Sequence, residues 1–513
     1  SGQTLTVSGK ITGTGNLNAS GAGVLVLNDS VSANDFIGDS VLSGGGTVQV
    51  SSLTALGSGS ITINAATLQA TTSLSYAGKN FFLGNVASAL TVASGDTFTL
   101  TNSGSTSVSG SGKLNANVAG ILVLDDLLNP NTFAGGSSLF GGGTVKINST
   151  TSLGDQTTGA AALKDITLQA TADINTSRNF TLGSAAARIA VDSTKTFTLS
   201  GNIVDGAQAG VLTKTGNGVL LLGVPSTQAD LKGAGVTVSG GVIRWAGDNS
   251  LPPDTFLTAG VASGFDLAGF NQITHQILGT GFFTNSSTLT PSTLTVGGDN
   301  VSFTFSGALT DNLAGGGQAL NLTKTGTGVL AFGAVNNYAG LTDIRVGRLD
   351  ITNIGSFGLG PVNIETGAEL RMNRTGTLNF PNELSGSGFV RSVGSGITIL
   401  TAANSGFTGR FLVDNGILQV GDGTLAGNTG DLGSANKVIV TTPGQLRFNY
   451  TVDYQLFRPI EGTGDVVQES RMTLDLATAS SAFSGRVVVN NGIMTASAVS
   501  ALAASTTTPR MPS

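Results

Sequence analysis

The sequence contains no cysteine among its 513 residues and a single histidine, His275. Without cysteine the chain forms no disulfide, holds no metal through thiolates and offers no thiol nucleophile, and one histidine leaves little room for imidazole catalysis. Charged residues are also scarce, at 11%, where an ordinary globular domain has about 25%. These absences exclude much of the usual catalytic chemistry and predict a largely uncharged surface.

Long apolar runs and basic clusters are missing as well. The longest apolar runs, such as residues 218–223, fall short of the roughly 18 residues that cross a bilayer, so we expect no direct insertion of this segment into a membrane. A net charge of −6 without basic clusters supplies no phosphate-neutralising potential, and we expect no nucleic-acid partner. Residues 1–5 carry no basic or apolar leader, which predicts a processed or excised chain.

Glycine and apolar residues, by contrast, are plentiful. The chain has 76 glycines, about twice the ordinary share of roughly 7%. Hydrophobic residues make up 39% of the chain and the mean hydropathy is +0.23, which predicts a folded core instead of disorder.

The sequence also repeats itself, with gaps of a few residues between matching segments. The repeated pairs are residues 13–48 with 110–145 at an offset of 97, residues 212–220 with 322–330 at an offset of 110, and residues 362–416 with 438–492 at an offset of 76. Units this unequal do not close the ring of a propeller, whose blades must match. They fit an open stack of repeated turns.

Within the repeats, short segments such as residues 60–64 and 446–452 alternate apolar and polar residues with period two, and Gly and Asn punctuate them. This pattern is typical of strands with one buried face, and no helical pattern of useful length precedes residue 496. We therefore predict an all-β fold, a right-handed parallel β-helix (β-solenoid) forming a single elongated rod. A coil of about 24 residues would give roughly 21 coils.

The repeats divide this predicted rod into four segments. They are residues 1–200 with two units of about 97 residues, residues 201–357, residues 358–495 with two units of about 76 residues, and an Ala/Thr-rich C-terminal tail at residues 496–513. No capping element is visible at either end. We expect either an interior piece of a longer protein or ends covered by other copies.

Three motifs in the middle segment resemble a known family. Leu322-Thr323-Lys324-Thr325-Gly326-Thr327-Gly328-Val329-Leu330, Asn336-Asn337-Tyr338-Ala339-Gly340 and Gly347-Arg348-Leu349 resemble the passenger-associated transport repeat, also called the autotransporter-associated β-strand repeat. Residues 407–418 and 483–494 are degenerate copies. The resemblance implies a secreted β-helical passenger at a bacterial surface, with a role in adhesion, aggregation or support of another domain.

Some parallel β-helix proteins cleave polysaccharides with clustered acidic and basic residues, so the carboxylates need inspection. Here they are scattered. Asp125-Asp126 occupies the position of Asn28-Asp29 in the first unit, and we expect a solvated turn there. Glu365 and Glu369 lack acidic counterparts in the next unit. We therefore expect no catalytic residue and predict that the protein is not an enzyme.

The glycine-rich stretches carry no signature of a metal or cofactor site. Gly297-Gly298-Asp299-Asn300 and Gly421-Asp422-Gly423 are isolated turn formers without the Gly-Gly-x-Gly-x-Asp array of calcium-binding β-helices. Residues 141–143 and 315–317 lack the Gly-Lys-Ser/Thr ending of a phosphate loop. We expect no metal and no cofactor.

One group of aromatic and basic residues is denser than any other, and it consists of Tyr450, Tyr454, Phe457, Arg447, Arg458 and Arg471. Period-two alternation places the residues at even positions from Leu446 to Leu456 on one face of a strand. We therefore expect the tyrosines to pack inside the coil, although contact with a glycan or protein is the alternative. By the same argument we expect His275 to be a partly buried structural residue and Trp245 to pack.

Together these observations predict a non-enzymatic, extracellular or cell-surface protein that serves as a stalk, an adhesin-like rod or a fibre subunit. Stacked coils would give rigidity, and exposed turns would offer repeated weak contacts. We expect self-association, end to end or lateral, and a glycan or cell-surface partner. Two alternatives stay open: a polysaccharide-cleaving β-helix enzyme, and a phage tail fibre or spike.

Overall fold

The structure is a computed structural model, and the residues that it describes are 2–29, 31–102, 107–184, 186–206, 210–223, 235–311, 317–352, 355–424 and 430–498. The predicted C-terminal tail lies outside the described residues from residue 499 onward, as do Gly315 and Gly316. Within the described ranges the chain forms β-strands and no helix. In particular, this part of the chain holds no helix with the length and apolarity needed to cross a bilayer.

The chain divides into two compact units, Ser1–Asp266 (unit 1) and Leu267–Ser513 (unit 2). The strands of unit 1 are β1 Thr4–Val7, β2 Leu17–Ser20, β3 Val24–Leu27, β4 Ser40–Ser43, β5 Thr47–Val50, β6 Ile61–Asn64, β7 Thr67–Ala70, β8 Leu74–Ala77, β9 Phe81–Leu83, β10 Ala89–Val92, β11 Thr97–Thr101, β12 Val108–Ser109, β13 Leu114–Val118, β14 Ile121–Asp125, β15 Ser137–Phe140, β16 Thr144–Ile147, β17 Ala161–Lys164, β18 Thr167–Ala170, β19 Ile174–Thr176, β20 Phe180–Leu182, β21 Arg188–Val191, β22 Thr196–Leu199, β23 Ile203–Asp205, β24 Leu212–Thr215, β25 Val219–Leu222, β26 Gly235–Val238, β27 Val242–Trp245, β28 Phe256–Ala259 and β29 Gly264–Asp266.

The strands of unit 2 are β30 Gln272–Ile273, β31 Gln276–Gly279, β32 Phe282–Thr284, β33 Ser292–Val296, β34 Phe303–Phe305, β35 Ala308–Thr310, β36 Leu320–Lys324, β37 Val329–Phe332, β38 Thr342–Ile344, β39 Arg348–Thr352, β40 Val362–Ile364, β41 Glu369–Asn373, β42 Thr377–Phe380, β43 Leu384–Gly386, β44 Phe389–Ser392, β45 Ile397–Leu400, β46 Gly406–Phe407, β47 Arg410–Val413, β48 Ile417–Val420, β49 Lys437–Val440, β50 Gln445–Phe448, β51 Tyr454–Leu456, β52 Ile460–Gly462, β53 Asp465–Gln468, β54 Thr473–Leu476, β55 Val487–Val489 and β56 Ile493–Thr495.

The strands stack as a parallel solenoid within each unit, because a strand pairs with the equivalent strand of the next turn. In unit 1 the longest sheet runs β1-β3-β5-β7-β10-β13-β15-β17-β20-β23. In unit 2 the longest runs β34-β37-β39-β41-β44-β47-β49-β52. Thr47, Thr67 and Ala89 stand in register on β5, β7 and β10, so one turn takes about 20 to 22 residues. The predicted all-β, parallel β-helix is confirmed for each unit.

The core is a column of apolar side chains inside each solenoid. One column of unit 1 contains Val48, Leu68, Leu90, Ala116 and Leu139, which are in register and at most 3% exposed. Period-two alternation produces this column, because every second residue of a strand faces inward. Burying a large aliphatic side chain contributes about 1.5–3 kcal/mol, and each turn adds several of them.

Buried asparagines hold the corners of successive turns together. Asn34 accepts a hydrogen bond from the Ile11 backbone N–H (2.7 Å) and donates one to the Ala55 carbonyl (3.1 Å), and Asn131 repeats this arrangement 97 residues later with Val108 and Ser152. In unit 2, Asn336 and Asn404 bridge backbone groups in the same way. Each amide thereby satisfies polar backbone groups of the preceding and the following turn at a buried corner.

Candidate functional site

Two lysines occupy inward positions of strands that are otherwise apolar on that face. Lys214 on β24 lies in register between Ile189 and Val238, and Lys324 on β36 lies between Val296 and Ile344. Both lysines are 0% exposed. A buried ammonium group is costly unless backbone or charged partners satisfy it.

Backbone carbonyls supply those partners. The Lys324 Nζ donates to the carbonyls of Thr325 (2.5 Å) and Gly326 (2.8 Å) in its own turn, and of Val346 (3.4 Å) in the next. Lys214 makes the equivalent three bonds 110 residues earlier. Burial lowers the pKa of each lysine to about 8, so both groups remain charged at neutral pH. Each enclosed ammonium group thereby links its own turn to the next.

The glycine within this turn is required by the stacking of the backbone. Gly326 has φ +67°, and a Cβ atom built there would lie 1.9 Å from the Gly297 carbonyl oxygen of the preceding turn. Only glycine permits both the left-handed conformation and this approach. Gly216 occupies the same place after Lys214, with φ +72°.

The carboxylate predicted to sit in a solvated turn at Asp126 is instead buried, and that prediction was wrong. Asp126 is 3% exposed, and its Oδ1 and Oδ2 atoms accept hydrogen bonds from the hydroxyls of Ser149 (2.7 Å), Ser152 (2.6 Å) and Thr151 (2.7 Å). The loop after β14 folds inward because these hydroxyls, one turn later, offer the carboxylate a complete set of donors. Asp125 is half-buried and accepts from Asn148.

Asp29 forms the matching cluster in the first repeat. Its carboxylate accepts from the Ser52 hydroxyl (2.5 Å) and the Thr54 hydroxyl (2.6 Å), at the positions that Ser149 and Thr151 hold one unit later. Burial raises the pKa of Asp29, but these hydrogen bonds outweigh burial and leave that pKa below its ordinary value. The two carboxylates therefore anchor loops.

The two glutamates that lack acidic counterparts in the next unit differ in their surroundings. Glu365 is exposed and accepts from Asn363, whereas Glu369 forms an ion pair with Arg371. Residues 297–300 form a turn closed by the Asn300 N–H bonding the Gly297 carbonyl, and Gly421 and Gly423 also have positive φ. Among the described residues, no group of three or more His, Asp and Glu lies close enough to hold a metal ion.

Tyr450 is buried inside unit 2, as predicted, whereas Tyr454 is half-buried. The rings of Tyr450 and Tyr454 stack at 4.2 Å, and their hydroxyls donate to the Gly430 carbonyl and the Asp431 carboxylate. Burial raises the pKa of both. Val452, however, is 60% exposed, although alternation placed it on the buried face. The reason is that β50 ends at Phe448 and β51 begins at Tyr454, so the alternation is interrupted between them.

The remaining predicted positions divide in the same way between core and surface. Trp245 is 1% exposed and stacks on Phe265 at 5.4 Å, which confirms that it packs. His275 is half-buried, as predicted. Phe457 is 58% exposed, and Arg458 donates to the Gly433 carbonyl, close in sequence to the Gly430 and Asp431 acceptors of the tyrosines.

Unit 2 also brings charged residues together on an outward surface, which we call the charged face. It comprises the outward residues of five adjacent strands, β39, β41, β44, β47 and β49. They are Arg348, Asp350, Glu369, Arg371, Phe389, Arg391, Arg410, Leu412, Lys437 and Ile439. The inward residues of the same strands are almost all apolar. The charged face therefore lies directly over the apolar core of unit 2.

Ion pairs connect most of these charges. Arg348 contacts Asp350 at 2.6 Å, and Glu369 contacts Arg371 at 2.7 Å and Arg391 at 3.9 Å. Asp414, just after β47, pairs with Arg391 at 2.5 Å, and Glu461, on the adjoining strand β52, pairs with Lys437 at 2.9 Å. Arg410 is exposed and forms no ion pair within the part of the chain that the structure describes.

Sequence reasoning missed both the inward lysines and the charged face. The period-two alternation could have identified Lys324 as an inward residue, because it lies two residues after the inward Leu322. The i, i+2 charge pairs Arg348/Asp350 and Glu369/Arg371 were also readable in the sequence. Their assembly into one face depends on register between turns, and the sequence does not state that register.

Residues 322–351 and 393–420 match the family model described as Passenger-associated-transport-repeat. This chain carries passenger-associated transport repeats. The first transport repeat begins two residues before Lys324. The second begins directly after Ser392, which takes the place of Lys324 in that repeat. The Ser392 hydroxyl donates to the Asn415 carbonyl (3.1 Å), as Lys324 donates to the Val346 carbonyl. A shorter side chain thus keeps one of the three bonds.

The comparison with curated proteins points the same way. Over 466 residues the chain is 29% identical to the Adhesin BmaC autotransporter of Brucella suis biovar 1 (strain 1330). This match covers 85% of the chain but only 11% of that relative's length. No solved structure gives a significant match. The resemblance to an autotransporter passenger with transport repeats is confirmed.

Proposed function

We propose that this chain is an adhesive segment of a non-enzymatic autotransporter passenger, displayed at the cell surface or released from it. Similarity to an autotransporter adhesin supports an adhesin-like role and a cell-surface or extracellular location. The relative is far longer than the match, so the activity of the whole protein is part of this proposal.

One observation carries the proposal. On the strands from β39 to β49, the same two outward positions on successive turns present side chains to solvent, while the inward positions form the core. A surface built this way presents side chains at regular spacing along successive turns. Repeated weak contacts bind a large or multivalent partner more strongly than one contact does.

The acidic groups support a structural role over a catalytic one. Asp29 and Asp126 are held by hydroxyl groups inside unit 1, and Glu369 is held by arginines on the charged face. A glycan-cleaving site needs one carboxyl group free to act as acid and another as base or nucleophile. These three carboxylates are already engaged by structural partners.

An adherence assay tests the proposal. Beads coated with the purified chain should be retained on cultured epithelial cells or extracellular matrix, well above beads coated with albumin. In parallel, the chain should release no reducing ends from a panel of polysaccharides. Retention equal to the albumin control, or cleavage of any polysaccharide, would contradict the proposal, and cleavage would favour the enzyme alternative.

Self-association stays a prediction within this proposal. Electron microscopy and sedimentation of the purified chain at micromolar concentration would test it. Filaments or lateral bundles would support self-association, and uniform single particles would contradict it. A stable trimer would instead favour the tail-fibre alternative.

A further inference from the structure

We propose that the charged face of unit 2 binds an anionic polysaccharide, whose sulfate or carboxylate groups are held by Arg391, Arg410 and Lys437 beside the ring of Phe389. This inference rests on the proposed adhesive function and names the partner class of one surface. Sulfated and carboxylated polysaccharides share one chemical feature, an anionic group on a sugar ring.

The charged face carries more cations than carboxylates. The five strands of the charged face carry Arg348, Arg371, Arg391, Arg410 and Lys437 against the carboxylates Asp350 and Glu369, on a chain whose net charge is −6. With Asp414 and Glu461 included, the surface has five cations against four carboxylates, an excess of one. A positive patch attracts anionic partners, and it does not repel the acidic remainder of its own protein.

The second argument is the position of Arg410. In register, its neighbours on the adjoining strands are Phe389 and Lys437, so no carboxylate stands directly beside it in that column. It is exposed and without an ion pair in the described residues. A guanidinium group presents several donors in a planar fork that matches a carboxylate or sulfate. Arg410 is therefore available to an external anion.

The third argument is the mixture of groups around Arg410. Phe389 is only half-buried and lies outward between Glu369 and Arg410, where its ring can stack on a sugar. The nearby carboxylates of Glu369 and Asp414 can accept hydrogen bonds from sugar hydroxyls. The backbone of duplex DNA has no free hydroxyl groups to donate to these carboxylates, so we favour a glycan.

Binding measurements with the 513-residue chain test this assignment. Immobilised heparin (sulfated), hyaluronan (carboxylated only), dextran (neutral) and duplex DNA serve as probes at low salt. We expect the chain to bind heparin, hyaluronan or both, and not to bind dextran. Comparing heparin with hyaluronan separates sulfate from carboxylate recognition. Equal binding to dextran, or tighter binding to DNA than to both anionic glycans, would overturn the assignment.

Variants then locate the site. Arg410→Gln should weaken binding to the anionic glycan roughly tenfold, because one charge-assisted contact is lost, and Phe389→Ser should weaken it at unchanged charge. Arg188→Gln is the matched control, because Arg188 is an exposed outward residue of β21 in unit 1 and its loss changes the net charge equally. Circular dichroism and the melting temperature should be unchanged in Arg410→Gln and Arg188→Gln.

The outcomes separate this inference from the function on which it rests. If Arg188→Gln weakens binding as much as Arg410→Gln, the attraction is non-specific and the assignment fails. If beads carrying the chain adhere to cells but Arg410→Gln adheres equally well and no anionic glycan binds, the adhesive function stands and the charged face is not its site. If the beads do not adhere to cells and no anionic glycan binds the chain, both the adhesive function and the glycan site are wrong.

Discussion

At the scale of single residues, the inward lysines set a polar group where the stack otherwise requires an apolar one. Lys324 lies between Val296 and Ile344, and its ammonium group donates to backbone carbonyls. Its aliphatic stem fills the column and its ammonium group closes the turn, so one side chain serves packing and hydrogen bonding together.

The lowered pKa of Lys324 predicts a pH dependence of stability. The folded-state pKa is about 8 and the ordinary value is 10.5, so between these pH values the unfolded chain binds more protons than the folded one. The stability of the wild-type chain relative to Lys324→Met should therefore rise as pH increases from 7.5 to about 10. Melting temperatures of both proteins across this range measure it. A difference that is constant or falls with pH would contradict the buried charge.

The buried carboxylate of Asp29 predicts a dependence of the same sign, but at acidic pH. Asp29→Ala removes the acceptor of the Ser52 and Thr54 hydroxyls and should lower the local stability of that turn by about 2–3 kcal/mol at neutral pH. Because the pKa of Asp29 lies below its ordinary value of 3.8, this contribution is present above that pH and is lost as pH falls through the folded-state pKa.

Hydrogen exchange of the loop that contains Ser52 measures this effect. Asp254→Ala, which removes an exposed carboxylate, is the control and should change protection little. If Asp29→Ala and wild type exchange equally at neutral pH, the carboxylate is not the anchor.

At the scale of elements, the closeness of successive turns decides where glycine is required. Gly326→Ala combines left-handed strain, about 1–2 kcal/mol, with a collision against the Gly297 carbonyl. Gly367→Ala has the same kind of strain, at φ +84°, but no atom lies within 4 Å of the new Cβ. We expect Gly326→Ala to lower the melting temperature clearly more than Gly367→Ala. Equal effects would mean that strain alone, and not stacking, selects glycine there.

The strands and their stacking were readable from the sequence, since residues 60–64 alternate and form β6 over Ile61–Asn64. The repeats at offsets of 76, 97 and 110 predicted the solenoid because each turn must meet a similar neighbour. The corners were not readable, and Asp126 and Val452 show why. Alternation applies only within a strand, and whether a loop turns inward depends on partners one turn away.

The candidate site was readable only in part. The motif around Lys324 identified the transport repeats, but the interior location of its lysine follows from pairing with β33 and β38. The charged face required the register of five strands, which the sequence does not specify. The fourfold division predicted at residues 200, 357 and 495 stays a prediction, since repeats in sequence need not coincide with units of folding.

At the scale of the whole molecule, the two units differ in their surface chemistry. Among the described residues, unit 1 has the ion pairs Lys10–Asp35 and Arg244–Asp266, while the other ion pairs lie in unit 2. Outward columns of unit 1 carry uncharged residues such as Thr47, Thr67 and Gln69. The network of ion pairs on the charged face therefore lies in unit 2, and its interactions should weaken as salt increases.

The account depends on the in-register stacking of outward residues, and the absence of cysteine allows a direct test by disulfide cross-linking. Thr91 on β10 and Asn117 on β13 are register partners, whereas Thr91 and Asn115 are offset by two residues on the same outward face. A disulfide requires Cα atoms about 4.4–6.8 Å apart, which adjacent in-register strands satisfy. Under mild oxidation, the double variant Thr91→Cys/Asn117→Cys should cross-link rapidly and nearly completely within one chain, as seen by mobility on a non-reducing gel. Thr91→Cys/Asn115→Cys should cross-link slowly; equal rates for the two pairs, or faster cross-linking of the offset pair, would contradict the stack.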